Sequence, residues 1–555
     1  MGLRATNEAD RTVTYAAGAD TAADGVSGAE APQPSRQLLR PHAVFDVIAL
    51  VVLGVAAYIA RRGSLPFDGL WFDDSWVAAG AIVGHPGELL SVGSAHPGFT
   101  AILMAVDRLG GGDLAHLGVP SLVFGAVAPA TLYLGLRSFG YERAVSAIVS
   151  AALVVAPVPI LYSGRVKGYT LDTLAVLLIA IAIPILAHRT WSWLVAAAWA
   201  ITAIGIGTFS GYTLLATAGA GVILVLHPSD DRLMRIVAVS AQAVVQGAYF
   251  ATLQSRADLG GIEEVMETTY DGHMSFTWNP LALAGELRKH LPRLAEVFPG
   301  RPGGAGWWLT LLAVLSMAGL VIAAVKGRRR SETVVARYLL LLVVVAAGGS
   351  LVDRFPFGPT NEVPFSAGGR HTLWMVPALA FGSAALAHRV RSAAARRDPA
   401  RLGFDVLAVV AAVAIVVVMY EPAPEAPFPG SASMTRFVDA AMGPDDVAIV
   451  TGTSTFTYAA STTTPVRVQA TPDHQVGFAP VYVDPRIHNI GGWAVSPGSP
   501  AEIRAWTTNA DRVFVLATGP LMGPGRDRVR DVLEQEGFAV EERLFGWNVV
   551  DVYRR

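Results

Sequence analysis

Four short polar segments of this 555-residue chain hold residues whose types and spacing could do chemistry. Leu70-Trp71-Phe72-Asp73-Asp74-Ser75-Trp76 sets two adjacent carboxylates among aromatics, just ahead of an apolar run with helical patterning. Either acid could take a proton from a nucleophile; equally, Asp74 or Ser75 could cap the helix that follows. Trp71, Phe72 and Trp76 suit the headgroup level of a bilayer and would hold the acids at its edge. His96-Pro97-Gly98 opens a second apolar stretch, where Pro in the first turn is ordinary. Tyr162-Ser163-Gly164-Arg165-Val166-Lys167-Gly168-Tyr169-Thr170-Leu171-Asp172 brings two cations and an acid close together. Arg165 and Lys167 could simply reach for phospholipid headgroups, but Asp172 starts an apolar run, where a carboxylate is costly without a partner or water. Gly368-Gly369-Arg370-His371-Thr372 adds one more cation before a further apolar run. Acids and cations gathered in one plane would bind an anionic lipid headgroup and deprotonate a nucleophile.

The elements that must position these groups are membrane spans. Hydrophobic residues make up 52% of the chain, charged residues 15%, and the mean hydropathy is +0.45, so the fold class is a polytopic α-helical membrane protein. A net charge of -2, from 42 Lys+Arg against 44 Asp+Glu, points to no nucleic-acid partner. With no cysteine there are no disulfides, thiolate nucleophiles or Cys-ligated metals.

Eleven spans can be drawn, at about 43–60, 115–136, 143–162, 171–187, 191–207, 211–227, 234–253, 306–325, 338–353, 373–389 and 404–420. Numbered this way, the loops expected inside hold 15 Lys/Arg, and those expected outside hold 12 in roughly three times as many residues. The expected topology has a cytoplasmic N-terminus and an extracytoplasmic C-terminal domain. His96–Leu109, too short to span, is expected as a helix lying at the outer interface.

The domain reading is a disordered cytoplasmic tail at 1–42 and a membrane region at 43–420 with outer loops 61–114, 254–305 and 354–372. A Pro-rich linker at 421–430 then leads to an extracytoplasmic α/β domain at 431–555. In that domain Val447–Thr451, Arg512–Ala517 and Val549–Tyr553 read as strands, and Arg526–Glu536, ended by Gly537, as a helix. A binding role is expected there, with Phe478, Tyr482 and Trp493 stacking on sugar faces or resting on the enzyme's outer surface. His474, His488 and Asp484 lack the spacing of a metal site. Gly110-Gly111-Gly112 lacks the Lys and the strand of a phosphate loop, and no nucleotide cofactor is expected.

In order along the chain, the acidic pair, the His-Pro before an apolar helix, the Tyr-Ser-x-x-x-x-x-Tyr-x-Leu-Asp element and a late Arg before a Pro-containing span (Arg370, Pro377) resemble the GT-C glycosyltransferases. The protein O-mannosyltransferase and lipid A aminoarabinose transferase branch is the most similar. The resemblance covers about residues 43–555 and implies a GT-C-like fold, a polyprenyl-phosphate-linked sugar as donor, and inverting transfer at the outer face to an envelope glycan, lipid or protein. It implies Asp73 as general base beside Asp74, and Arg165, Lys167 and Arg370 at the donor phosphate. Asp172 would match an acid that in some members helps hold a divalent metal ion. His96, Tyr169 and His371 stand beside these groups as expected substrate contacts. The chain departs from the family pattern in having Asp-Asp for Asp-Glu and His-Pro-Gly for His-Pro-Pro. A transporter or lipid flippase would place ionisable or helix-breaking residues near the midplane of several spans. A non-catalytic envelope scaffold would leave the acids and cations of the outer loops without a role.

Overall fold

The computed structural model describes residues 41–259, 277–298, 307–351, 370–394 and 430–555 together with Met274 and Val410, except for 67, 93–95, 111–113, 328, 472–475, 492–497, 519–522 and 547. Nearly all of the expected tail, of the eleventh span and of the linker, most of the loop at 354–372 and part of the loop at 254–305 lie outside the described residues. The chain divides into two compact units, Met1–Phe45 and Asp46–Arg555. In the first, only the opening of a helix is described.

The membrane region runs α1 (Pro41–Arg61), α2 (Phe72–Val83), α3 (Pro97–Gly110), α4 (Leu114–Ser138), α5 (Arg143–Val155), α6 (Pro157–Ser163) and α7 (Tyr169–His188). It continues through α8 (Trp193–Gly207), α9 (Gly211–Leu226), α10 (Arg232–Leu259), α11 (Pro280–Val297), α12 (Trp307–Lys326), α13 (Arg330–Leu351) and α14 (Val376–Ala394). Among the described residues, six helices are long and apolar enough to cross a bilayer, or seven if the bent pair α5/α6 counts as one span. The other expected spans up to residue 389 fall on shorter apolar helices. Of these, α8 and α9 have 15 and 16 residues, short of the roughly 20 that a hydrocarbon core requires.

The bend between α5 and α6 is 56° and has a local cause. Pro157 has no N–H to return to the carbonyl of Leu153, so the last carbonyls of α5 are left without helical partners. Arg61, fully buried at the end of α1, supplies them by donating to Leu153 O at 2.8 Å and Val154 O at 2.9 Å.

The C-terminal domain is α/β: α15 (Ser431–Ala441), β1 (Val447–Thr451), α16 (Ser454–Ser461), β2 (Val466–Ala470), β3 (Phe478–Tyr482) and β4 (Ile487–Ile490), then α17 (Pro500–Thr507), β5 (Arg512–Thr518), α18 (Gly523–Gln535), β6 (Ala539–Phe545) and β7 (Asn548–Arg554). Its main sheet has the order β4-β1-β5-β7-β6, with β4, β1 and β5 parallel and β7 antiparallel to both neighbours, while β2 and β3 form a separate antiparallel pair. Every residue of β1 is buried, as the centre of a sheet covered on both faces requires. Val447, Ile449, Val513 and Val515 pack on α17 and α18. Ala448, Val450, Phe514 and Leu516 face the other way, into a core that includes α2 and α3. There Val77, Ala78, Ala81, Phe99 and Leu103 share one apolar cluster with Phe456, Phe478 and Tyr482.

Candidate active site

The helix that carries the acidic pair starts one turn earlier than a cap at Asp74 or Ser75 would place it. Trp71, extended, is the N-cap residue, and its carbonyl accepts from the N–H groups of Asp74 at 2.8 Å and Ser75 at 2.9 Å. Asp73 and Asp74 therefore occupy the first turn of α2, where unpaired N–H groups and the helix dipole favour negative charge. They are 6% and 2% exposed.

Asp74 accepts from Arg165 Nε at 2.8 Å. The Arg165 guanidinium lies 3.7 Å from the centre of the Trp71 ring, and Lys167 Nζ lies 4.3 Å from that of Trp76. Reaching out to headgroups is thus not what these cations do: they are 4% and 6% exposed. Trp71 is likewise no headgroup anchor. At 3% exposed it is the platform under Arg165. The side chain of Phe72 lies outside the described residues. Burial pushes the Asp74 carboxyl above the usual carboxylate range; Arg165 and Lys167 oppose this and the neighbouring Asp73 adds to it. Arg165 Nη1 is buried and has no hydrogen-bond partner among the described residues.

The turn that delivers the cations is tightly built. A Cβ on Gly164 would fall 1.7 Å from the Ser64 carbonyl oxygen, so only glycine lets the turn lie against that backbone. Ser121 on α4 donates to Lys167 O at 2.8 Å, and Thr170 donates back to Ser121 O at 2.9 Å.

A second polar group begins where this turn enters α7. Asp172, 2% exposed, accepts from Ser210 Oγ, the side chain that also caps α9 by accepting from Thr213 N at 3.0 Å. Two residues on, the Tyr212 hydroxyl and His371 Nδ1 are 2.7 Å apart. Tyr212 stacks on Trp374, whose Nε1 donates to His371 O at 2.8 Å. Thr173 donates to Leu373 O at 3.1 Å, tying the turn Arg370–Met375 to α7. Tyr169 packs edge-on against Tyr162, with ring centres 5.1 Å apart. The start of α3 joins from another side: Gly98 N donates to Thr208 O at 3.0 Å, and a Cβ there would lie 2.4 Å from Thr208 Oγ1. This contact is the physical reason for Gly98 after His96-Pro97.

The turns that carry His96, Arg165 and Lys167, Asp172, and His371 are thus linked by hydrogen bonds at one end of the helices. The side chain of Arg370 lies outside the described residues. So do His474 and Trp493. Among the described residues no three His, Asp or Glu side chains come together, and the partner of Asp172 is the Ser210 hydroxyl. Phe478 and Tyr482 are 2% and 7% exposed core residues; of the two roles expected for these aromatics, Phe478 has the second, resting against α2 beside Gly80.

Reading the sequence by charge missed Arg61, Ser210, Tyr212 and Trp374. The loop 208–210 contains no Lys or Arg. The signal it does carry is a Ser three residues before a Thr at the head of an apolar run, the pattern of a helix start.

Fold and site together define a polytopic helical membrane protein with a buried acid–cation cluster at one end of its helices. No protein-family model matches the chain, and no curated protein does. Among solved structures, the chain is similar to ArnT from Cupriavidus metallidurans bound to undecaprenyl phosphate, with 14% identity, a TM-score of 0.41, and coverage of 92% of this chain and 98% of that one. It is also similar to the archaeal oligosaccharyltransferase AglB from Archaeoglobus fulgidus, in complex with an inhibitory peptide and a dolichol-phosphate, with 11% identity, a TM-score of 0.45, and coverage of 85% of this chain and 69% of that one. Neither overlap is close enough to carry a residue from one chain to the other.

Proposed function

We propose that the protein is a GT-C-type integral membrane glycosyltransferase, moving a sugar from a polyprenyl-phosphate donor to an envelope glycan, lipid or protein at the outer face, with inversion. The observation that carries this reading is the buried start of α2, where Asp74 is committed to Arg165 and Asp73 stands next to it. Asp73 takes the proton of the acceptor hydroxyl as that oxygen attacks the anomeric carbon from the face opposite the phosphate. The bond from the anomeric carbon to the phosphate oxygen breaks, and its electron pair leaves with polyprenyl phosphate. Arg165, whose buried Nη1 has no partner among the described residues, and Lys167 hold the departing charge in a site where little water screens it. Arg370 joins them from the turn before α14, while His96, Tyr169 and His371 contact substrate.

The concentration of Lys and Arg in alternate loops supports a cytoplasmic N-terminus and an extracytoplasmic C-terminal domain. Incubating the purified protein with labelled polyprenyl-phosphate sugars tests the whole reading. Release of polyprenyl phosphate, abolished by Asp73→Asn, is expected. A folded wild-type protein that releases nothing from hexosyl and pentosyl donors, with or without added acceptors, overturns it.

A further inference from the structure

We infer that the C-terminal domain is a positioning arm for the acid-bearing helix start, acting through a clamp on Asp68, and is not an acceptor module on a tether. The inference rests on the reading of Asp73 and Asp74 as the reacting end of the molecule. Between Ser64 and Trp71 the described backbone forms no helix or strand, so its polar groups must find partners elsewhere. The C-terminal domain supplies them. Asp68 O accepts from Gly430 N at 2.9 Å, and the Asp68 carboxylate accepts from Ser433 Oγ at 2.8 Å and from Arg436 Nη2 at 2.9 Å. Leu70 N, on a residue with no exposure, donates to Ser431 Oγ at 3.0 Å. The next residue is Trp71, which both caps α2 and carries Arg165 on its ring. Displacing residues 68–70 would therefore move the platform, the cation and the two carboxylates together.

The domain also holds α2 further along. A Cβ on Gly80 would lie 3.4 Å from the ring of Phe478, and α16 lies along the same helix within the shared core. A tethered module would leave α2 an exposed face. Here the helix is buried almost all round.

The clamp can be opened without unfolding the chain, because Arg436 and Asp68 are 66% and 44% exposed, and exposed pairs contribute little to stability. Asp68→Ala in the full-length protein is expected to lower kcat at least about tenfold, a shift of only about 1.4 kcal/mol in the barrier, with the donor KM unchanged and Asp68→Glu recovering part of the loss. A second readout does not depend on turnover. The chain has no cysteine, so Asp73→Cys introduces a single thiol, and its modification rate by a small thiol reagent is expected to rise several-fold when Asp68→Ala is added. If Asp68→Ala does not fold, Ser433→Ala removes one bond of the clamp and the same two readouts apply. Wild-type kcat together with an unchanged thiol rate overturns the inference. A wild-type protein without transferase activity sinks the proposed reaction, while the thiol rate still decides whether the domain sets the position of residue 73.

Discussion

Arg165–Asp74 at the membrane end and Arg512–Asp446 in the C-terminal sheet are the same chemical pair in different states of completion. Arg512 grips Asp446 with two nitrogens, at 3.2 and 2.6 Å, and donates to Ala441 O at 2.7 Å. Asp446 also accepts from Gly443 N, and its hydrogen bonds, the Arg512 guanidinium foremost, outweigh burial to hold the carboxyl below the usual range. The Arg512 side chain is 33% exposed. Among the described residues Arg165 makes one side-chain hydrogen bond and keeps a buried nitrogen without a partner, and it faces a carboxyl that burial has pushed upward. A satisfied pair needs nothing more. A buried, unsatisfied pair carries a free-energy penalty, and a third charged group arriving there would relieve it. The sheet pair is complete in itself, and under the proposed function the membrane-end pair is completed by the donor phosphate.

The sharpest way to break this contrast is to remove each arginine. Arg165→Met leaves the buried Asp74 carboxylate without its guanidinium partner and is expected to destabilise the protein by about 3 kcal/mol. Arg512→Met, beside water, is expected to cost roughly 1–2 kcal/mol. Thermal unfolding of the two purified variants checks the difference. Adding Asp74→Leu to Arg165→Met should recover most of the stability and none of the turnover. Equal losses at the two sites would remove the distinction.

Next in size is Asp73→Asn, which is nearly isosteric. It is expected to preserve folding and donor affinity while turnover falls at least about a hundredfold. Near-normal turnover would assign the base elsewhere.

Most of the helical architecture and the identity of the acid–cation cluster were legible in the sequence, because hydropathy and charge are additive along a chain. What the cluster does internally was not legible. Each of Arg165, Lys167 and Trp71 had an ordinary solution at a bilayer surface, and only the tertiary approach of Gly164 to Ser64 turns them inward. The role of Arg61 was hidden in the same way, since its partners are main-chain carbonyls 92 and 93 residues away. In the C-terminal domain β1, β5, β7 and α18 stood out as apolar runs or as a helix ended by Gly537, whose φ is +82°. The half-exposed strands β2 and β4 did not. For Phe478 the sequence left open a sugar face or the membrane region as its cover, because that cover is α2, more than 390 residues earlier.

A smaller effect sharpens the membrane end. If Arg370 completes the phosphate site as a planar fork, Arg370→Lys keeps the charge and is expected to weaken donor binding by about tenfold, with Arg370→Ala weaker still. Equal affinity in all three proteins, measured by titration with the polyprenyl-phosphate sugar, would return Arg370 to contact with headgroups.

The smallest effect belongs to the sheet. His488 stacks on Trp506, with ring centres 4.2 Å apart, and burial lowers its pKa to about 4 even though Asp484 pulls the other way. An imidazole depressed in the folded state binds its proton first in the unfolded chain, so its contribution is fully present above the unfolded value of about 6.5 and is lost as pH falls towards 4. Because the ring is only partly shielded, the loss by pH 4.5 is about 1 kcal/mol. Asp446 and Asp484 titrate below their ordinary range, Asp484 through its bonds to Arg486, so they do not account for a change between pH 6.5 and 4.5. Once each rate is divided by the intrinsic exchange rate at that pH, the hydrogen–deuterium exchange protection of β4 in the full-length protein should therefore fall from pH 6.5 to 4.5, and His488→Phe, which keeps the stacking and cannot titrate, should abolish the fall. An unchanged loss of protection in the His488→Phe variant would assign the titration to another group and end the part of His488 in the comparison.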